Sequence, residues 1–221
     1  MKIYKDLSDW NMDDELTSWE RVYSERYDQT QYDHLIRYHF AIPYIPEGVS
    51  VLDVACGSGY GTSYVAHYSK CRAVIGIDRS DHALEWARTY YPHEKAAYVK
   101  GDLSEDFAEQ LPIRKFEIIT CFETVEHMQD DKAFVAKLYD LLVPGGALLI
   151  SAPNEDVIPH LDNYCFPERI NPHHFRHYRP LELEQLLTNC GFRICERHTQ
   201  TVESIIHNAQ HGFVTILVAT R

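Results

Sequence analysis

From Val49 onward, short apolar runs alternate with stretches whose apolar residues recur at helical spacing. Val49-Ser50-Val51-Leu52-Asp53-Val54 is a strand-like run that ends in a glycine-rich turn. Thr62 to Ser69 then reads as a helix, and Ala73 to Asp78 as a second strand. A helix from about Asp81 to Tyr91 must stop at Pro92, because proline has no amide to donate. Ala97 to Lys100 and Phe116 to Phe122 read as the third and fourth strands, and helical periodicity runs from Glu123 to Leu142. Pro144-Gly145-Gly146 turns the chain into a fifth strand, Ala147 to Ala152. This alternation predicts an α/β fold, a Rossmann-like parallel sheet with helices on both faces.

Two segments break the rhythm. Residues 8–45 carry Trp10, Trp19 and several tyrosines among many charges, with mixed helical spacing. The main domain is therefore expected over 46–221, preceded by a helical segment over 1–45. Residues 153–180 are irregular and dense in Pro, His, Arg and Tyr, too long for an ordinary connection, so this loop reads as functional. Pro180 to Cys190 follows as a helix closed by Gly191. Phe192 to Cys195 and Phe213 to Thr220 read as strands, predicting an antiparallel hairpin on the sheet edge.

Composition narrows the function classes. There are 33 acidic residues against 21 basic, a net charge of −12, so a sequence-independent grip on duplex nucleic acid is not expected. No apolar run approaches the ~18 residues of a membrane span. The amino terminus runs into acidic and polar residues rather than an apolar leader core. Six cysteines without C-x-x-C spacing read as free thiols in a reducing compartment, so a cytoplasmic location is expected.

The most informative stretch is Val51-Leu52-Asp53-Val54-Ala55-Cys56-Gly57-Ser58-Gly59-Tyr60-Gly61-Thr62. A strand leading into a glycine-rich turn that opens a helix lets backbone amides approach a ligand. Asp78 ends the next strand, where an acid accepts hydrogen bonds from ribose hydroxyls. A dinucleotide fingerprint would place glycine where Thr62 stands, and Asp53 would repel a pyrophosphate. A ligand carrying an ammonium and a sulfonium would gain from that carboxylate.

At these residues the chain resembles the class I S-adenosylmethionine (SAM)-dependent methyltransferases, whose first motif is matched by Asp53, Gly57 and Gly59. The resemblance continues through Asp78, Gly101-Asp102-Leu103, Phe116 to Glu123, and Leu142 to Gly146. It implies SAM as cofactor and a seven-stranded sheet of order 3-2-1-4-5-7-6, the last strand antiparallel. It further implies a cofactor set of Asp53, Ala55, Gly57, Gly59, Asp78, Arg79, Asp102, Leu103 and Phe122, with Asp102 meeting the adenine amine. The aromatic amino-terminal helices would form a lid, or else pack as plain core.

Glu123, Glu126 and His127 follow the fourth strand as Glu-x-x-Glu-His, which helical spacing would gather at the mouth of the site. His127 can serve as a general base held by a carboxylate, with Glu126 and His174 as its catalytic companions. The trio can instead bind a divalent ion such as Mg²⁺, Mn²⁺ or Zn²⁺, with a further ligand from His173 or His174. It can also be a plain helix start. The pattern is similar to the metal-binding set of small-RNA 2′-O-methyltransferases, and a similar set occurs in ubiquinone-biosynthesis O-methyltransferases. The acidic chain fits a small-RNA acceptor poorly. Arg169, Arg176 and Arg179 could clamp an anionic acceptor, or pair with acids such as Glu168, Glu182 and Glu184.

The expected activity is therefore methyl transfer from SAM to an oxygen of a small-molecule or glycosyl acceptor. N-methylation of a small amine, a NAD-dependent oxidoreductase and a non-catalytic SAM-binding module are the rivals. Neither the acceptor's identity nor the oligomeric state is written in the chain.

Overall fold

The continuous apolar runs become the buried strands β1 (Ser50–Val54), β2 (Ala73–Asp78) and β4 (Phe116–Phe122), with every residue of β1 buried. Such runs suit parallel strands covered on both faces. The computed structural model describes residues 21–164, 166, 168–208 and 211–221, so Trp10, Trp19 and Cys165 lie outside the described residues. Within these, β3 (Ala96–Lys100), β5 (Leu142–Pro153), β6 (Arg193–Gln200), β7 (Ile206–His207) and β8 (Val214–Thr220) complete one sheet. Its order is β3-β2-β1-β4-β5-β8-β6-β7. The first five strands run parallel, and β8, β6 and β7 add antiparallel.

The sheet therefore has eight strands where seven were expected, and its order changes accordingly. The addition is β7, two residues paired to the end of β6 through Thr199↔His207 and Gln200↔Ile206. The late hairpin forms, but β8 lies between β5 and β6, so only β6 and β7 lie toward the edge.

Period-two alternation divides the core. Val51, Val74 and Ile118 face α1 (Tyr32–Ala41) and α2 (Tyr60–Tyr68). Leu52, Ile75 and Ile119 face the opposite way, toward α4 (Asp131–Leu141) and α5 (Pro180–Asn189). Beside β2 and β3 lies α3 (Asp81–Tyr90), capped by Ser80, whose side chain accepts from the Ala83 amide.

The helix expected over Glu123 to Leu142 is broken. Glu123 takes φ 48°, Val125–His127 form one tight turn, and α4 begins afresh at Asp131. Two bonds accompany the break: the Ser151 hydroxyl, from β5, donates to the Glu123 carboxylate at 2.7 Å, and Asp130 caps Ala133 at 2.9 Å. The 153–180 loop is tied down, with Asn154 bridged to Tyr178 and the Phe175 amide donating to the Glu126 carbonyl at 2.9 Å.

One close approach fixes α1 against α2. A Cβ at Gly61 would come within 2.0 Å of the Tyr38 ring. In a helix interior, Gly→Ala alone stabilises by about 1 kcal/mol. Here the methyl would displace a buried ring, so Gly61→Ala is expected to lower unfolding free energy by about 1–3 kcal/mol in chemical denaturation. A gain in stability would show that α1 does not pack there.

Candidate active site

The chain leaves β1 through backbone that few residues tolerate: Ala55, Gly57 and Gly59 all have positive φ, at 53°, 54° and 85°. Ala55 is the unusual member, since a side chain in the left-handed region costs about 1 kcal/mol. Nothing lies within 4 Å of a Cβ built on Gly57, so that backbone is open to a ligand. Gly59 is constrained differently. A Cβ there would meet Ala87 at 2.4 Å and Tyr98 at 2.9 Å, so this glycine serves the packing of α2 on α3 and β3.

Asp78 closes β2 beside this turn. Its Oδ2 accepts from the Gly57 amide at 2.9 Å, and its Oδ1 accepts from the Ser80 amide at 2.9 Å and from Arg21 at 3.0 Å. Asp102, after β3, accepts from the Ser104 amide and hydroxyl at 2.9 and 2.6 Å, which hold its carboxyl below the usual range. Asp78, Arg79, Asp102, Leu103, Ala55, Gly57 and Phe122 all line one cavity of about 920 Å³.

Two members of the expected cofactor set, Asp53 and Gly59, are not on that wall. Asp53 lies beneath it and is completely buried. Its carboxylate accepts from Thr62 at 2.6 Å, Thr120 at 2.8 Å and Tyr38 at 3.1 Å. Burial outweighs these bonds and raises its pKa from 3.8 to about 6. Rather than facing a ligand's positive charge, Asp53 ties α1, α2 and β4 to the end of β1.

The strand order puts Asp78 and Asp102 on the β2–β3 side of the cavity and Glu123 and His127 on the β4 side. Here Glu126, His127 and His174 each offer a ligand atom within 4.8 Å of the others. His173 and Glu123 stand outside that group. His173 lines the cavity and presents its carbonyl to His127 Nδ1 at 3.0 Å, while Glu123 is engaged by Ser151.

Tautomers follow from the partners. The Ile158 carbonyl can only accept, so His177 Nδ1 carries a proton and donates at 2.6 Å. Its Nε2 must then accept from His174 Nδ1 at 2.8 Å, which leaves His174 Nε2 as a lone-pair nitrogen. By the same reasoning the His173 carbonyl fixes the proton of His127 on Nδ1. Burial and neighbouring imidazoles push His174 down to about 2, so it is neutral. Glu126 is fully buried, neither carboxylate oxygen meets a donor among the described residues, and burial raises its pKa well above the usual range.

The loop arginines form no clamp. Arg169 binds Asp162 at 2.7 Å, Arg176 binds Asp131 at 2.6 Å, and Arg179 binds Asp156 at 3.0 Å and Glu182 at 3.3 Å. None lines the cavity. The wall instead includes His34, Arg37 and Tyr38, with Arg21 and Val22. Sequence reading missed these residues, although His34, Arg37, Tyr38 and Ala41 share one helical face at i, i+3, i+4 and i+7.

A family model described as a methyltransferase domain matches residues 24–197. A "Probable S-adenosylmethionine-dependent methyltransferase" of Mycolicibacterium smegmatis is 32% identical over 148 residues, 66% of this chain and 53% of that protein. A ubiquinone biosynthesis O-methyltransferase of Pseudomonas paraeruginosa is 29% identical over 155 residues, 66% of each. A solved S-adenosylmethionine-dependent methyltransferase from Mesorhizobium loti covers 86% of this chain and 100% of its own, with a TM-score of 0.68. Its 16% identity makes that a likeness of fold. The chain spans about half the length of the mycobacterial relatives it matches.

The burial of Asp53 has a consequence for stability. The folded protein holds this proton more tightly than the unfolded chain, so stability falls as pH rises from 3.8 to about 6, then levels. The difference is on the order of 3 kcal/mol. Relative to Asp53→Asn, the wild type should lose roughly that amount between pH ~4 and pH ~6.5 in urea denaturation. Parallel pH profiles for the two proteins would contradict it.

Proposed function

The chain belongs to the class I SAM-dependent methyltransferases, and from that premise we propose that it methylates a hydroxyl oxygen of a small-molecule or glycosyl acceptor. The observation that carries this reading is the single cavity whose wall includes both the Gly57–Asp78–Asp102 side and the His127–His173 side. In this reading Asp78 takes the ribose hydroxyls, with Oδ1 exchanging Arg21 for the ligand. Asp102 meets the adenine amine between Arg79 and Leu103, and the open backbone at Ala55 and Gly57 bends around the remainder beside Phe122. In this reading residues 21–31 act as the lid, while α1 packs as core. Contacts of Arg21 with Asp78 and of the Ser58 hydroxyl with the Val22 carbonyl at 2.5 Å support that role.

Attack by the acceptor oxygen on the methyl carbon forms a C–O bond and breaks a C–S bond, releasing S-adenosylhomocysteine. One acceptor proton must then be removed. His127 is suited to take it, since Nδ1–H on the His173 carbonyl orients the ring and leaves Nε2 basic. The Pseudomonas relative, named an O-methyltransferase, favours oxygen over a small amine.

A second reading gives the same cluster a divalent ion, Mg²⁺, Mn²⁺ or Zn²⁺. The unpartnered Glu126 carboxylate and two imidazoles with defined lone-pair nitrogens fit one. Such an ion would polarise the acceptor oxygen and lower its pKa. Among the described residues no helix is long and apolar enough to cross a membrane. The five described cysteines are free thiols, which supports the cytoplasm as the working compartment.

Calorimetry should show SAM binding to the wild type, weakened by about 2–3 kcal/mol in Asp78→Ala through loss of hydrogen bonds to a carboxylate. Unchanged affinity would remove Asp78 from the site. A labelled-methyl assay over hydroxyl and amine acceptors tests the reaction itself, and label appearing only on amines would overturn the oxygen assignment. In that assay the metal reading expects a chelator to abolish turnover, and Glu126→Gln and His174→Ala to lose ion binding in equilibrium dialysis. The general-base reading expects no effect of the chelator and a rate that rises with pH until His127→Ala removes the dependence.

A further inference from the structure

The geometry points to Arg37 as the binding residue for an oxyanion carried by the acceptor, which makes the substrate an anionic hydroxy compound with an apolar body. This inference rests on the methyltransferase reading above and names the substrate class of the same site. Arg37 lies on α1, lines the cavity and is 3% exposed. A guanidinium so buried ordinarily sits against a carboxylate, because the desolvation cost of an unpaired charge is large. Among the described residues Arg37 has no such partner. Its Nη1 donates to the Gln200 amide oxygen at 2.8 Å, and its Nη2 donates to His34 Nδ1 at 3.1 Å.

Both acceptors are neutral. Gln200 carries no charge, is itself buried, and is held by donating its amide to the Asp33 carbonyl at 2.8 Å. His34 accepts at Nδ1 because a guanidinium has no lone pair to offer, and burial with Arg37 pushes its pKa down to about 4. Two neutral groups therefore fix the fork, and among the described residues no carboxylate pairs with it directly; Asp33, on the same wall, stands against His34 Nε2 at 3.7 Å. These contacts take two of its five N–H donors, and bidentate recognition of a carboxylate or phosphate needs two. The buried Glu126 carboxylate makes no ion pair with Arg37.

The acceptor side mixes polar groups, Asp33, Glu123 and Gln129 among them, with apolar side chains. Met128, Phe166, Phe175 and Phe213 line the cavity along with His127. A ligand would thus place its anion at Arg37, its hydroxyl toward His127, and its body against these side chains. The three loop arginines do not serve, since each is matched to a carboxylate and none lines the cavity.

The test measures binding, so it does not depend on turnover. With S-adenosylhomocysteine bound, calorimetry would compare 3,4-dihydroxybenzoate, its methyl ester and 4-hydroxyphenyl phosphate. The wild type should bind at least one anionic probe at least tenfold more tightly than the ester, and the better anion identifies carboxylate or phosphate. Arg37→Gln should remove that preference while leaving S-adenosylhomocysteine and ester affinities unchanged, and Arg37→Lys should restore part of it. Equal affinity for acids and ester, loss of all ligands together in Arg37→Gln, or no binding of either anion would overturn the proposal. If S-adenosylhomocysteine itself fails to bind the wild type, the methyltransferase reading falls and takes this one with it. Binding of S-adenosylhomocysteine without anion preference sinks this one alone.

Discussion

One buried carboxylate holds the site together. Asp53, near the end of β1, accepts hydrogen bonds from three hydroxyls that arrive on α1, α2 and β4. Each such bond to a charged group contributes about 1.5–3 kcal/mol, set against the cost of desolvating the carboxyl. The arrangement is specific because every donor comes from a different element. It brings Tyr38 against Gly61 and Phe122, and so seats α1 above the carboxyl ends of the strands. Arg37 and His34 reach the cavity only because that helix is seated there.

The two sides of the cavity use opposite electrostatic strategies. On the β2–β3 side, Asp78 and Asp102 accept from backbone amides and a hydroxyl, and the bonds from Ser104 hold the Asp102 carboxyl below the usual range. On the β4 side, burial and crowding suppress charge, with His174 neutral and Glu126 driven toward its protonated form. Carboxyl oxygens that accept hydrogen bonds suit ribose hydroxyls and an exocyclic amine. A neutral imidazole chain running from His174 to His177 and the Ile158 carbonyl leaves a lone pair on His174 Nε2. Arg37 supplies the fixed positive charge on the same wall.

Much of the cofactor side was legible in the chain because its signals are local. A buried parallel strand is a continuous apolar run, and a turn that needs left-handed backbone advertises itself through glycine, as at Gly57. Strand limits at Ala73–Asp78 and Phe116–Phe122 follow directly. Gly59 and Asp53 carry the right motif, yet their tasks are set by partners far along the chain. Ala87 and Tyr98 crowd Gly59, and Thr120 and Tyr38 take up Asp53. The acceptor side was less legible for the same reason. Helical spacing suggested that Glu123, Glu126 and His127 share a face, but Glu123, bound by Ser151, takes a left-handed turn. What gathers Glu126 and His127 with His174 is the folded loop, through Phe175 on the Glu126 carbonyl. Arg37 depends on Gln200, which lies on a strand near the other end of the chain.

The central claim is that one cavity holds the methyl donor on its β2–β3 side and presents the reacting centre to His127 on its β4 side. A crystal structure of the protein with S-adenosylhomocysteine tests it most directly. The account predicts the ribose hydroxyls on Asp78 with Arg21 displaced, the adenine beside Asp102, and the sulfur turned toward His127. A ligand seated elsewhere, or one whose sulfur points away from His127 while the ribose still meets Asp78, would contradict it.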